Sequence, residues 1–280
     1  GAEQHSTSNL ASVTINLPQF PTYITGVNSE VLSDDSIKLV FGVDLNVDIR
    51  HYTLFKSDKL EGPYTALPNG DIKYASNSNL SLFDTTTGVA HSRHFYRLYA
   101  ISDCGDTTLS SNVICNIALF AEKGSNSHNI SWTDYKYFLT GVDKYELYRI
   151  IDNEESFLLY TDSSTNVETF RFTDDLDVKA GIGNEQCYFV VAYPKKALNQ
   201  TGTTVKSTSN KACIKQEDRA FIPNAFNPAS KIEANKKFKP VLAFVNTADY
   251  EFIVYNRFSD VRFKTTDPTR DGMEPARGRW

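Results

Sequence analysis

Along this chain, apolar and polar residues alternate in short runs and do not recur at helical spacing. Stretches rich in Tyr, Phe, Val, Ile and Thr lie between clusters of Asn, Asp, Ser and Gly, the pattern of half-buried strands separated by turns. The clearest runs are 36–43, 51–56, 94–101, 129–132, 144–150, 170–173 and 187–193. No segment sustains an apolar stripe over three helical turns, so the pattern predicts an all-β protein.

The runs repeat with a period of roughly ninety residues. His51-Tyr52-Thr53-Leu54-Phe55-Lys56 matches Lys144-Tyr145-Glu146-Leu147-Tyr148-Arg149. Leu82-Phe83-Asp84 matches Phe172-Thr173-Asp174, and Phe95-Tyr96-Arg97-Leu98-Tyr99-Ala100 matches Cys187-Tyr188-Phe189-Val190-Val191-Ala192. Ser111-Asn112 ahead of Val113-Ile114-Cys115 matches Ser209-Asn210 ahead of Lys211-Ala212-Cys213. Four matches in one order, with similar gaps, indicate a duplication that sets Tyr96 and Tyr188 at equivalent places.

Each copy resembles a fibronectin type III domain. The resemblance rests on Tyr-x-Leu-x-(Lys/Arg) in a middle strand, Tyr-x-(Leu/Val)-x-Ala in a later one, and Ser-Asn opening the last. The second copy also has Ile130-Ser131-Trp132, whose tryptophan suits a sandwich core, where the first has Leu39-Val40-Phe41. The expected fold is two tandem fibronectin III/immunoglobulin-like β-sandwiches, at 18–117 and 118–216, after an extension over 1–17.

Four cysteines, Cys104, Cys115, Cys187 and Cys213, contain no CxxC pair, so zinc spacing is absent. A run over 205–213 paired with 187–193 about a loop near Asn199 sets Cys187 opposite Cys213, close enough for a disulfide. The same construction sets Cys115 opposite about Arg97, away from Cys104, and argues against a second bridge.

Beyond the linker Lys215-Gln216-Glu217-Asp218-Arg219 the character changes. Phe221-Ile222-Pro223-Asn224-Ala225-Phe226-Asn227-Pro228 is followed by Phe238-Lys239-Pro240, then Ile253-Val254-Tyr255-Asn256-Arg257-Phe258, then Val261-Arg262-Phe263-Lys264-Thr265-Thr266-Asp267-Pro268. This resembles the gliding-motility-associated C-terminal domain, the type B sorting signal of type IX secretion in Bacteroidota. Its motif falls here on Pro223, Asn224, Ala225, Phe226, Pro228, Asn256 and Arg257. An incomplete small β-domain is therefore expected over 217–280. Three departures stand out. Ala229-Ser230-Lys231-Ile232-Glu233 replaces an Asn-Gly-Asp-Gly loop, so no calcium is expected there. Phe258-Ser259 replaces Trp-Gly, and the chain stops where the family continues. The family runs on to Gly-Trp-Asp-Gly-Thr after Asp-Pro; here Thr269-Arg270-Asp271-Gly272-Met273-Glu274-Pro275 follows. Codons for 270–275 read one base earlier have fixed bases xGA, xGG, xAT, xGA and xCC, all compatible with Gly-Trp-Asp-Gly-Thr. The expectation is a frame lost near Thr269–Arg270, with 271–280 an out-of-frame tail.

Composition narrows the function. The chain has 280 residues, 40% hydrophobic and 22% charged, with 34 acidic against 29 basic side chains, a formal charge of -5. The absence of a basic excess argues against a nucleic-acid binder. No apolar run reaches the ~20 residues that span a bilayer, and no signal peptide is visible. A start at Gly1 and a single methionine, Met273, suggest a processed product or a fragment.

Nucleophile elbows, His-Glu-x-x-His motifs, P-loops and dinucleotide fingerprints are missing. His91 and His94 read as loop histidines rather than metal ligands. Asp174, Asp175 and Asp177 read as a solvated turn rather than a cation site. Lys231, Lys236, Lys237 and Lys239 make a small basic patch, read as solvated surface. The 15 Tyr and 18 Phe sit mainly at strand-core spacing. No catalysis, cofactor or metal is expected. The resemblances imply an exported, non-catalytic protein at the surface of, or outside, a Gram-negative bacterium. Its sandwiches would act as spacer or adhesion modules, with secretion machinery at the outer membrane as one partner and a surface glycan or host/matrix protein as another. The alternatives are the tail of a larger secreted enzyme or a glycan-binding module.

Overall fold

A computed structural model describes residues 1–13, 19–48, 51–73, 75–102, 104–135, 137–151, 155–164, 167–176, 184–195, 205–224, 227, 229–232, 236–245 and 247–270. The first sandwich contains β1 (Ile24–Ser33), β2 (Ser36–Val43), β3 (His51–Ser57), β4 (Thr65–Ile72), β5 (Asn79–Asp84), β6 (Phe95–Ile101), β7 (Thr107–Ser110) and β8 (Ile114–Cys115). The second contains β9 (Leu119–Lys123), β10 (Ser127–Thr133), β11 (Val142–Ile151), β12 (Phe157–Asp162), β13 (Thr169–Asp175), β14 (Glu185–Pro194), β15 (Ser207–Thr208) and β16 (Ala212–Lys215). In the first, β1-β2-β5 packs on β4-β3-β6-β7, with β8 also paired to β6. In the second, β13-β10-β9 packs on β12-β11-β14, with β15 and β16 both on β14.

Period-two alternation places the cores. Ile37, Leu39 and Phe41 on β2 face Tyr52 and Leu54 on β3 and Tyr96, Leu98 and Ala100 on β6, all fully buried. Ile130 and Trp132 on β10 face Tyr145 and Leu147 on β11 and Tyr188, Val190 and Ala192 on β14. Each large apolar side chain so buried contributes roughly 1.5–3 kcal/mol. Phe41 fills in the first core the place of Trp132 in the second, where Trp132 stacks on Phe170 with ring centroids 5.4 Å apart.

The sandwiches are not beads on a string. β1 pairs in parallel with β15 at Glu30↔Thr208, which fuses one sheet of each sandwich into a single eight-stranded sheet. Around that bridge, Ser29 Oγ donates to the Cys115 carbonyl at 2.7 Å, and Ser207 Oγ accepts from the Ser29 N–H at 3.2 Å. Arg93 of the first sandwich meets the buried Asp134 of the second at 2.7 Å. Phe95, on β6, belongs to the second core and lies edge-on to Tyr137.

Two registers differ from the sequence reading. The run over 205–213 is not one strand: it breaks into β15 and β16 at Ser209-Asn210, whose side chains take over backbone partners. Cys115 lies opposite Phe95, not Arg97, because the β6–β7 hairpin turns about Cys104, with Ile101 opposite Thr107, earlier than the symmetric construction requires. The register shift between Ala100 and Ile101 and the restart as β8 recover only part of that offset.

The C-terminal region forms two separate antiparallel pairs, β17 (Arg219–Phe221) with β18 (Val241–Ala243), and β19 (Phe252–Tyr255) with β20 (Val261–Thr265). Pro240, Leu242, Phe244 and Thr265 are buried there, while Phe221, Val241, Tyr255, Phe258 and Val261 are exposed. The expected out-of-frame tail, 271–280, lies outside the described residues. Among the described residues no helix is long and apolar enough to cross a membrane.

Candidate functional site

The residues that the repeat alignment pairs converge on one buried arrangement, built twice. In the first sandwich Asp84, at the end of β5, accepts from Tyr96 Oη at 2.8 Å and Lys56 Nζ at 2.9 Å. In the second, Asp174 on β13 accepts from Tyr188 Oη at 2.7 Å and from Arg149 at 2.6 Å. Burial opposes ionisation of Asp84, yet hydrogen bonds from Thr86, Lys56 and Tyr96 outweigh it and hold the carboxyl below the usual range. Burial, and then the carboxylate beside it, pushes both phenols up. Each acid is thus a buried carboxylate held by a tyrosine and a cation. This corrects the solvated-turn reading of Asp174, which is 4% exposed; Asp175 is exposed, and Asp177 lies outside the described residues.

The second copy extends further. His128 on β10 contacts Tyr188 Oη through Nδ1 at 2.7 Å, and Gln216 Nε2 approaches His128 Nε2 at 2.7 Å. The Tyr188 proton points to Asp174, so Nδ1–H is the donor and Nε2 accepts from Gln216, which makes the imidazole neutral. Burial lowers its pKa, outweighing the Asp174 charge. His94 in the first sandwich binds Asp58 at 2.7 Å and Ser92 at 2.9 Å, and burial followed by the Lys56 charge lowers its pKa too. His91 is exposed at the end of the 3-10 turn Val89–His91. Among the described residues, no group of three or more His, Cys, Asp or Glu could hold a metal ion.

The Ser-Asn pairs have a shared role that sequence spacing alone did not reveal. Ser111 Oγ accepts from Leu98 N–H at 3.0 Å, and Ser209 Oγ from Val190 N–H at 2.9 Å. Asn112 Oδ1 then takes Gly26 N–H at 2.7 Å, and Asn210 Oδ1 takes Leu119 N–H at 2.8 Å. Each asparagine ties the last strand of its sandwich to the first, across the open edge between the sheets. A Cβ on Gly26 would sit 2.5 Å from the Ile114 side chain, so this junction needs glycine.

Cys187 and Cys213 are joined, with S–S 2.04 Å and Cα–Cα 3.9 Å, on directly paired positions of β14 and β16. Cys104 is a free, exposed thiol and Cys115 a free, buried one. Burial raises the Cys115 pKa to about 12, against the pull of Arg93, so this thiol is protonated and unreactive.

In the C-terminal region Asn256 organises the β19–β20 turn. Its Oδ1 accepts from Phe258 N–H at 2.8 Å and Asp260 N–H at 2.9 Å, and its amide donates to Asp260 Oδ2 at 3.0 Å. Arg257 lies over the exposed Phe258 ring at 4.6 Å. Pro223 is half-buried and Asn224 exposed, while Ala225, Phe226 and Pro228 lie outside the described residues. Lys231 and Lys237 are exposed, and Lys236 and Lys239 half-buried.

Paired sandwiches, duplicated Tyr–Asp–cation clusters and Ser-Asn ties define a tandem fibronectin type III-like β-sandwich protein. Among solved structures, the chain is similar to a Fn3-like protein from Clostridium thermocellum, at 27% identity over 35% of this chain and 90% of that one, TM-score 0.25. It is also similar to the chicken CNTN1 FN1-FN3 domains, at 16% identity over 75% of this chain and 71% of that one, TM-score 0.25. No protein-family model matches the chain, and no curated protein does.

Proposed function

We propose that this chain is a non-catalytic, exported spacer or adhesion module, with sandwiches over 18–117 and 118–216 after an extension over 1–17, and a sorting-like domain over 217–280. The observation that carries the spacer reading is the parallel bridge Glu30↔Thr208, flanked by the Arg93–Asp134 pair. A joint made of sheet ladder and buried ion pair holds two domains at a set angle, which a spacer needs and a flexible linker does not give. The Cys187–Cys213 disulfide supports an oxidising, extracellular destination. The motif residues Pro223, Asn224, Ala225, Phe226, Pro228, Asn256 and Arg257 support recognition by type IX secretion machinery at the outer membrane of a Gram-negative bacterium. A surface glycan or host/matrix protein is the adhesion partner in this reading.

Two measurements test it. Residues 217–280 fused behind a periplasmic reporter in a Bacteroidota host should deliver the reporter to the surface, and should fail when the secretion machinery is deleted. Retention in the periplasm of both strains would end the sorting reading while leaving the spacer intact. For the spacer, small-angle scattering should give one fixed inter-sandwich distance, and a broad distribution would contradict it.

A further inference from the structure

Strand β9 is to the second sandwich what β1 is to the first. Leu119 faces Trp132 as Gly26 faces Phe41, and each gives its N–H to the asparagine of a Ser-Asn pair. Counting on from those anchors, past the bulge in β1, Ala121 opposite Ile130 stands at the place of Ser29 opposite Leu39. Glu122 opposite Asn129 likewise stands at the place of Glu30 opposite Lys38. In the first sandwich this edge is occupied. Ser29 N–H donates to Ser207 Oγ, Asn28 donates to the Lys206 carbonyl at 2.8 Å, and Glu30 bridges Thr208.

In the second sandwich the same edge borders a cleft of about 760 Å³ between the two sandwiches, with Leu32, His91, Phe120, Glu122, Phe189 and Lys211 on its walls. Leu119 points both its N–H and its C=O at Asn210, away from β10. Peptide groups alternate in direction along a strand, so Ala121 presents its own N–H and C=O to the same open edge. β16 runs beside β9 just as β8 runs beside β1, and β8 does not exclude β15. Lysines often blunt such edges. Here Lys123 turns its ammonium onto the Lys215 carbonyl at 3.4 Å, and Phe120 and Leu32 are left 44% and 52% exposed.

We infer that the outer edge of β9 is a strand-acceptor site, which takes a hydroxyl-bearing strand of the β15 kind from a further fibronectin-like domain, in parallel register. The added strand extends β13-β10-β9 as β15 extends β5-β2-β1, with main-chain hydrogen bonds supplying affinity and the cleft walls supplying side-chain contacts. This assignment does not depend on the sorting reading of the C-terminal region.

The test uses the full chain, isotope-labelled, with the synthetic peptide Val-Lys-Ser-Thr-Ser-Asn, the sequence of residues 205–210. At millimolar peptide, amide exchange at Ala121 should slow about tenfold. The same peptide N-methylated at its threonine, the residue that bridges in β15, should have no effect. Ala121→Pro has no amide of its own to exchange at that position, so the variant is read at Lys123, the next amide on the same edge. The peptide should slow Lys123 exchange in the parent chain and not in the variant, while the thermal transition stays in place, because an edge N–H that serves no ladder can be lost. An unchanged Ala121 exchange rate overturns the proposal. So does protection that survives N-methylation, which would report side-chain binding only. If Ala121→Pro does not fold, the two peptides still decide between these outcomes.

Discussion

Phe95 and Cys115 face each other across β6 and β8 in the register that Cys187 and Cys213 hold across β14 and β16. The duplicated position that carries a disulfide in the second sandwich therefore carries inter-sandwich packing in the first, with Phe95 reaching the second core and Arg93 lying over its ring at 4.9 Å. Cys115 is left as a buried thiol beside the joint.

Thiol reagents should count this arrangement directly. The native protein should react at one site, Cys104, and the denatured but unreduced protein at two, Cys104 and Cys115. A native count of two would mean the joint opens readily, and a denatured count of four would remove the Cys187–Cys213 bridge.

Loss of a buried acid should be costly. Asp174→Asn leaves Arg149, a half-buried cation, without its carboxylate, and should destabilise the second sandwich by about 2–3 kcal/mol. Urea unfolding followed by Trp132 fluorescence measures it, and a change below about 1 kcal/mol would show that the pair is solvated.

The two phenols should differ. Tyr188 Oη serves both Asp174 and His128, whereas among the described residues Tyr96 Oη bonds to Asp84 alone. Tyr188→Phe should therefore cost more than Tyr96→Phe, each within about 1–3 kcal/mol. Equal losses, or the reverse order, would break the proton assignment along the His128–Tyr188–Asp174 chain.

Acid should weaken the fold well above the carboxylate range. His94 and His128 have lowered pKa values in the folded chain, so below about 6.5 the unfolded chain takes up protons that the folded chain refuses. Stability should be flat above that pH and fall as pH drops toward 5, by at most about 1.4 kcal/mol per unit for each histidine. Urea midpoints at pH 7.5 and 5.5 check the sign, and a higher midpoint at 5.5 contradicts it.

Ser259 sits at φ 64 in the β19–β20 turn, a left-handed conformation that glycine adopts without strain. Ser259→Gly should stabilise the hairpin by about 1 kcal/mol, slowing Asn256 amide exchange about fivefold. Faster exchange would mean that the serine hydroxyl contributes more than the strain removes.

Much of this was legible because duplication supplies an internal control. The alignment already held Lys56 with Arg149, Asp84 with Asp174, and Tyr96 with Tyr188, although nothing in one copy alone says that the three meet. It also held Cys115 with Cys213 and Phe95 with Cys187, a truer guide to register than counting from a presumed loop centre, which lay beyond the real turn about Cys104. Strand β9 escaped notice because five residues carry too little alternation, and the two-residue β15 was merged with β16 into one run over 205–213. The bridge between sandwiches was illegible for another reason: Ser29, Glu30 and Thr208 are ordinary polar strand residues, and only their place in space makes them a joint.

That joint also sets how the protein carries load. β1 begins the first sandwich and β15 lies near the end of the second, side by side and pointing the same way. Tension applied to the two ends of the tandem pulls these neighbours in opposite senses along their length, so their hydrogen bonds resist together in shear rather than opening one at a time. The stiffest line through the molecule runs across the shared sheet, and both hydrophobic cores lie to the side of it.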